Sequence, residues 1–133
     1  MTLTVSVGAV HGSIEVDLPV RIVSEMNGRD HWTKVHKRSK DHHHAVFYTL
    51  VPFKKLLGMI AGSDERIVVT FTRLGPGHFD SDNLASGFKF CRDEVAKMLG
   101  INDGDERFDW RYEQVSARMH SARVRIEEEG ARS

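Results

Sequence analysis

The chain has 133 residues, of which 40% are hydrophobic and 29% are charged, with only three prolines. This length and composition are typical of one folded globular domain over residues 1–133, and they exclude low-complexity and wholly disordered proteins. Nineteen basic and nineteen acidic side chains cancel, so the net charge does not by itself indicate a protein that binds nucleic acid.

The signals for cellular location point to the cytoplasm. Cys91 is the one cysteine, so no internal disulfide can form, as is usual in a reducing compartment. The N-terminus lacks a basic stretch followed by an apolar segment, and no apolar run reaches the roughly 18 residues that a membrane helix needs. We therefore expect a soluble cytoplasmic protein without a membrane partner.

The N-terminal half of the chain predicts strands followed by helices. The segments "TLTVSV" and "SIEVDLPVRI" alternate apolar and polar residues and are rich in valine and isoleucine, which indicates one or two strands. Asp30 can cap a helix that opens with His31 and Trp32. A helical stripe then recurs at intervals of three and four residues, formed by Trp32, Val35, Ser39, His42 or His43, Val46 and Leu50. Pro52 either kinks this helix or starts a second one.

The C-terminal half contains the clearest strand signal, "RIVVTFTRL" at residues 66–74, in which one face is mostly apolar through Phe71. After a Gly-Pro-Gly loop, a helix is predicted from about Asp82 to Leu99, ended by Gly100. The segment "INDGDER" is a predicted loop, and "FDWRYEQVSA" and "SARVRIEEE" are predicted strands. The order β(β)-α-β-α-β-β indicates a small mixed fold of the α+β class, in which one sheet packs against two main helices.

Two aspartates, Asp80 and Asp82, stand where a loop enters the predicted helix. Either can cap the helix, since a carboxylate accepts hydrogen bonds from the free N–H groups of the first turn. The pair can also bind a divalent cation, because Mg²⁺ takes carboxylate oxygens while water and phosphate complete its shell. A calcium-binding EF-hand loop is excluded, since Ala85 stands where its turn needs glycine and Cys91 where it needs glutamate.

A second acidic pair, Asp103 and Asp105, follows in "NDGDER". If the next strand pairs beside "RIVVTFT", this loop could fold back towards Asp80 and Asp82 and complete a metal site. The alternative is a solvated turn, which is what most acidic loops are.

The predicted helix between these acidic pairs carries one polar face. Asp82, Ser86, Lys89 and Asp93 are spaced by four, three and four residues, so they share that face. Lys89 can therefore point towards the carboxylates. The alternative is an ion pair between Lys89 and Asp93 on a solvated surface, where such pairs contribute little to stability.

A basic segment lies nearer the N-terminus. Between residues 29 and 44 it has five Lys or Arg side chains against two Asp, with five histidines. Basic helix residues neutralise phosphates without reading sequence, although a solvated helix face explains them equally well. Histidines 42 to 44 are not predicted metal ligands, since three adjacent helix positions point in three directions. The candidate DNA-binding residues are Lys34, Lys37, Arg38 and Lys40.

The segment "FDSDNLASGFKFCRDEVAKMLGINDGDERFDWRYEQ" resembles the RusA family of Holliday-junction resolvases, which are small homodimeric Mg²⁺-dependent endonucleases common in phages and prophages. The family pattern is D-x-D-N-L, a lysine and an aspartate on the next helix, and then a D-D or D-x-D loop. The segment "MNGRDHWTKVHKRSKDHHHAVFY" is similar to the family's N-terminal part, where an asparagine-containing loop leads into a basic helix. The likeness extends from about Leu18 onward.

The resemblance implies catalytic roles for particular residues. Asp80 and Asp82 match the paired metal-binding aspartates, and Asp103 aligns slightly better than Asp105 as the third. The family's lysine follows the second aspartate by four residues, where this chain has Ser86. Lys89, seven residues on, then takes the lysine's role and stabilises charge on the phosphate or leaving oxygen. The implied cofactor is Mg²⁺, with Mn²⁺ as a substitute.

The function that the resemblance implies is a structure-selective endodeoxyribonuclease. It resolves Holliday junctions by symmetric phosphodiester hydrolysis in DNA recombination and repair, as a homodimer that suits a two-fold four-way junction. Three alternatives stay open. They are a non-cleaving protein that binds branched DNA, a nuclease for flaps or other DNA structures, and a phage structural or regulatory protein whose acidic loops are only turns.

Overall fold

The computed structural model describes residues 3–7, 12–26, 31–102 and 104–129. It confirms a mixed fold of the α+β class. The elements in chain order are β1 (Leu3–Val7), β2 (Gly12–Leu18), α1 (Trp32–Leu50), a 3-10 turn (Val51–Phe53), α2 (Lys54–Ala61), β3 (Ile67–Gly75), α3 (Ser81–Gly87), α4 (Lys89–Leu99), β4 (Phe108–Ser116) and β5 (Ser121–Glu128). Among the described residues, no helix is both long and apolar enough to cross a membrane.

The five strands form one sheet in the order β1-β2-β5-β3-β4. Strands β3 and β4 are parallel, and the other neighbours are antiparallel. A parallel neighbour requires a crossover, which α3 and α4 provide between β3 and β4. We call the end of the sheet marked by Gly75, Ser116 and Ser121 its upper end. The lower end is the one marked by Ile67 and Phe108.

The helices cover one face of the sheet with apolar side chains. On β3, Phe71 is fully buried and stacks on Phe88, with 5.1 Å between ring centroids. The members of this core from β2, β5, α1, α2 and α4 include Ile14, Val16, Leu18, Val124, Ile126, Val46, Leu50, Leu57, Ile60, Cys91, Val95 and Leu99. Burial of this apolar surface is the main driving force for folding.

The other face of the sheet is polar, yet β3 is buried on it too. Thr70 and Thr72 are only 2% and 7% exposed, whereas the sequence predicts one apolar face. The difference arises because β3 lies between β5 and β4, and β5 carries long charged side chains on this face. Arg125, for example, donates to Glu15 at 2.9 Å and to Glu127 at 3.3 Å, so its stem covers the strand beside it.

The helix predicted over residues 82–99 is two helices, with Phe88 between α3 and α4. Gly87 lies directly before the break. A Cβ atom at Gly87 would lie 2.4 Å from Ile22 Cγ2, so only glycine lets the helix approach the segment after β2 this closely. The predicted end at Gly100 is confirmed, with a φ of 70° that favours glycine.

The first helix also differs at its ends. His31 is the N-cap, and its side chain accepts a hydrogen bond from the Thr33 N–H at 3.2 Å; the predicted cap Asp30 lies outside the described residues. Pro52 lies in the 3-10 turn that separates α1 from α2. Of the two expectations for this proline, the start of a second helix is therefore confirmed.

Candidate functional site

A cleft of about 440 Å³ opens at the upper end of the sheet, beside the start of α3. One wall is the segment Ser24–Met26, and the other is the stretch 78–83 that leads from β3 into α3. The described lining residues are Ser24, Met26, His78, Phe79, Asp80 and Asn83. The cleft therefore contains the first aspartate of the D-x-D-N motif.

Asp80 is the N-cap of α3, so the capping interpretation is confirmed for this residue. Its Oδ1 accepts hydrogen bonds from the Asn83 N–H at 3.0 Å and from Asn83 Nδ2 at 2.7 Å. Its Oδ2 accepts none from the residues that the structure describes. The Asn83 Oδ1 in turn accepts from the Ser24 hydroxyl across the cleft. The cap uses one carboxylate oxygen and leaves the other available.

Asp82 is exposed in the first turn of α3, outside the described cleft lining. Its Cα is no more than about 7 Å from that of Asp80, because the two are separated by a single residue. Negative charge is favourable at this position because the helix dipole is positive at its N-terminus. Both acidic side chains of the pair therefore stand at the N-terminus of α3, with the exposed Asp82 close in sequence to the Asp80 that borders the cleft.

Ser86, which stands at the position of the family's lysine, holds the cleft wall in place. Its hydroxyl donates to the Asn83 carbonyl at 3.1 Å and accepts from the Glu25 N–H at 3.2 Å. Glu25 also binds Arg38 of α1 through two hydrogen bonds of 2.7 Å. The segment Ser24–Met26 is thus fixed between α3 and α1, which is a role that the sequence did not suggest for Ser86 or Arg38.

The structure does not bring Asp105 to the cleft. Its Oδ1 accepts from the Arg107 N–H at 2.9 Å, and the Arg107 carbonyl accepts from the Ile67 N–H at 3.0 Å, at the lower end of the sheet. Asp80 is at the upper end, since Gln114 of β4 binds the backbone of Phe79 at 2.9 and 2.7 Å. Gln114 follows Phe108 by six positions along β4, a distance of about 20 Å.

This separation corrects the expectation that the "NDGDER" loop folds back towards Asp80. A parallel crossover returns the chain to the lower end before β4 begins, so only residues after β4 come back to the upper end. Asp103 lies outside the described residues. Among those that are described, no group of three or more His, Cys, Asp or Glu side chains is arranged to hold a metal ion.

Lys89 does not join the described cleft lining either. It is the exposed first residue of α4, and its Nζ lies 5.7 Å from the ring centroid of Phe90. The predicted shared face with Asp82 and Ser86 depended on one continuous helix, which the break at Phe88 interrupts. The alternative ion pair with Asp93 is also absent, although both residues are described.

The basic segment occupies the first turns of α1. Lys34, Lys37 and Lys40 are exposed, whereas the guanidinium of Arg38 is already bound to Glu25. The three lysines remain candidates for phosphate contacts. The Arg38–Glu25 pair joins these basic turns to one wall of the cleft.

The three adjacent histidines have three different environments. His42 is buried and its Nε2 donates to the Arg21 carbonyl at 3.2 Å. His43 Nδ1 lies 3.0 Å from Glu94 Oε1, and His44 is exposed with its ring against Tyr48.

The sequence interpretation missed a basic group at the upper end. Arg73 is 3% exposed and lies over the Phe79 ring, 4.0 Å from its centroid. Burial and then the charge of Arg21 lower the pKa of Arg73. Desolvation and then the charges of Arg21 and Arg73 lower the pKa of His120. The available signal was Arg73 itself, a charged residue on the strand face that carries Ile67, Val69 and Phe71.

Comparisons with known proteins add little to this picture. No family model matches the chain, and no curated protein matches it. Among solved structures, the chain is similar to a proposed translation initiation inhibitor from Salmonella typhimurium, over 96% of this chain and 88% of that one. The identity is 12% and the TM-score is 0.42, a likeness too distant to bear on function.

Proposed function

We propose that the chain is a Mg²⁺-dependent, structure-selective endodeoxyribonuclease that resolves four-way junctions by symmetric phosphodiester hydrolysis. It would act in the cytoplasm, in DNA recombination or repair, as a homodimer with branched DNA as its partner. The resemblance of the D-x-D-N-L segment to the RusA family is the starting point.

The observation that carries the proposal is the environment of the Asp80 carboxylate. Its carboxylate borders an open cleft, with one oxygen held by Asn83 and the other accepting no hydrogen bond from the described residues. A carboxylate held in one orientation by its own helix is suited to bind a ligand without further ordering, which lowers the cost of binding.

Asp80 and Asp82 fit a cation that needs few protein ligands. Mg²⁺ is usually held by one or two carboxylates and completes its shell with water and substrate phosphate. Two carboxylates are therefore a sufficient donor set, even though the described part of the chain gathers no group of three ligands. When bound, such a cation lowers the pKa of coordinated water and neutralises charge on the phosphate. Asn83 keeps the Asp80 carboxylate oriented, and the exposed lysines of α1 neutralise neighbouring phosphates.

Two further assignments stay predictions. Asp103 as a third ligand lies outside the described residues. Lys89 is exposed at the start of α4, and its proposed role in stabilising charge on the phosphate or leaving oxygen is tested by Lys89→Ala. A large loss of cleavage with unchanged junction binding supports that role.

A second candidate function is a protein that binds branched DNA without cutting it. Ser86 favours this alternative, because it stands at the position of the family's lysine and its hydroxyl is already used to hold Glu25 and Asn83. On this hypothesis the lysine function is lost, and Asp80 serves only as a helix cap.

One assay separates the two functions. The protein is incubated with a synthetic four-way junction, a flap and a linear duplex, with Mg²⁺, Mn²⁺ or EDTA. We expect symmetric nicking of the junction that requires the metal and falls by at least about a hundredfold in Asp82→Asn, as for loss of a group that acts in the transition state. Asp64→Asn is the matched control, because Asp64 is exposed in the loop before β3, at the lower end.

The outcomes are distinct. Equal loss of activity in Asp64→Asn and Asp82→Asn would mean that the carboxylate pair has no special role. Junction binding without cleavage by the unmodified chain would support the non-cleaving alternative, and preference for the flap would support a different nuclease. No binding to any DNA at low salt would refute both nucleic-acid functions.

A further inference from the structure

Three basic side chains lie at the upper end of the sheet, near the cleft. Arg21 follows β2, Arg73 lies near the end of β3, and His120 comes just before β5. A Cβ atom at Gly75 would lie 2.9 Å from His120 Nδ1 and 3.2 Å from Arg73 Nη2. The two nitrogens are therefore within about 6 Å of each other, over a backbone position that has no side chain to separate them.

Arg73 is buried with most of its hydrogen-bonding capacity unused. Its Nη2 donates to the Pro76 carbonyl at 2.8 Å, but its Nε and Nη1 have no partner in the described part of the chain. No carboxylate pairs with it there. A buried guanidinium ordinarily has a carboxylate or several acceptors, because an unpaired buried charge is costly. The Phe79 ring beneath it compensates only part of that cost.

The three side chains also repel one another. The charge of Arg21 lowers the pKa of both Arg73 and His120, after the effect of desolvation. Arg21 and His120 are exposed, so solutes reach the group from the side of these two residues. A group of cations whose buried arginine pairs with no carboxylate in the described part of the chain is the arrangement expected where an anion binds.

We propose that Arg21, Arg73 and His120 form a binding site for a phosphate-type oxyanion. Guanidinium groups suit such an anion because their donors match its oxygens in pairs. Phe79 joins this site to the cleft, since its ring contacts Arg73 and its backbone leads directly to Asp80. The identity of the anion rests on the proposed function. Under that function, the anion is a DNA phosphodiester close to the phosphodiester that is bound at Asp80. Binding of the anion itself does not depend on that function.

The first test uses inorganic phosphate, and sulfate as a second tetrahedral anion. Thermal unfolding of the full chain is measured in phosphate or sulfate and in chloride at equal ionic strength. We expect phosphate to raise the Tm of the unmodified chain, since a ligand of the native state stabilises it. The rise should disappear in the double variant Arg21→Gln/His120→Gln, whose two positions are exposed and leave the core unchanged.

The matched control is Arg66→Gln, an exposed arginine at the lower end of the sheet, which should retain the full phosphate effect. Arg73→Gln is a second test of the same site, and the exposed double variant keeps the proposal testable if that buried change prevents folding. An equal Tm rise in the unmodified chain and in Arg21→Gln/His120→Gln would refute the proposal. So would the absence of any phosphate effect in the unmodified chain.

The second test uses the four-way junction and identifies the source of the anion. If the ligand is a DNA phosphodiester, Arg21→Gln should weaken junction binding and reduce the slope of log affinity against log salt by about 0.9, the value for one phosphate contact. A phosphate effect without any junction binding supports the anion site and contradicts the proposed nuclease. Junction cleavage that is unchanged in the double variant, with no phosphate effect, contradicts the anion site and leaves the nuclease standing.

Discussion

The close approach of α3 to the segment after β2 makes Gly87 the most sensitive position near the cleft. In Gly87→Ala, the new Cβ would lie 2.4 Å from Ile22 Cγ2 and 3.2 Å from the Val23 carbonyl oxygen. Carbon atoms pack best at about 3.5–4 Å, so the segment must move by about 1 Å. Over-packing of this kind costs about 1–3 kcal/mol, while alanine returns at most about 1 kcal/mol of helix propensity.

The expected result is a loss of about 0.5–2 kcal/mol in the free energy of unfolding, measured by urea denaturation. Gly58→Ala is the matched control, because a Cβ at Gly58 in α2 meets nothing within 4 Å, so the same substitution should stabilise by about 0.5–1 kcal/mol. Displacement of the segment should also weaken the hydrogen bond that the Glu25 N–H donates to Ser86. The Glu25 amide hydrogen should therefore exchange with solvent faster. If Gly87→Ala stabilises the chain as much as Gly58→Ala does, the proposed tight contact is wrong.

Other groups allow predictions of the same kind. Burial raises the pKa of the Cys91 thiol to about 12, so a thiol reagent at pH 8 should label it only after unfolding; fast labelling of the native chain would contradict this. Burial lowers the pKa of His42 below 6.5, although its bond to a backbone carbonyl raises it. The neutral ring therefore stabilises the fold fully above pH 6.5, and that stability is lost as the pH falls towards the folded pKa. Urea titrations should show that the free energy of unfolding falls less between pH 7 and pH 5 in His42→Met than in the control His36→Gln. The paired hydrogen bonds between Glu25 and Arg38 should give about 1–3 kcal/mol of coupling in a double-mutant cycle, and a value near zero would refute their role in holding the cleft wall.

Hydrophobic periodicity and the positions of proline and glycine predicted the elements whose sequence signals span only a few residues. The strand at β3, the second helix after Pro52 and the end of α4 at Gly100 are examples, because proline and glycine act through their own backbone geometry. The break at Phe88 could not be predicted in this way. Beside the break, Gly87 closely approaches Ile22, and no local pattern indicates a contact between residues so distant in sequence.

The same limit applies to the basic group at the upper end. Arg73 continues the strand face of Val69 and Phe71, so a charged residue at an apolar position was visible in the sequence. Its neighbours were not, because Arg21 and His120 come from other connections that the antiparallel pairing of β2 and β5 brings to the same end. The order of the strands in the sheet decides which connecting segments lie together, and no local sequence pattern specifies that order.

Topology also decides what the two acidic pairs can do. A strand-helix-strand unit with parallel strands puts the residues after its first strand and those before its second at opposite ends of the sheet. Asp80 is of the first kind and Asp105 of the second. Within one chain the two residues therefore lie at opposite ends of β4, whose residues Phe108 and Gln114 are about 20 Å apart. Asp105 therefore lies away from the cleft of its own chain, whereas Asp80 and Asp82 stand at the end of the sheet where Arg21, Arg73 and His120 also lie. The proposed anion site is thus at the end of the sheet where the proposed nuclease would hold a phosphodiester.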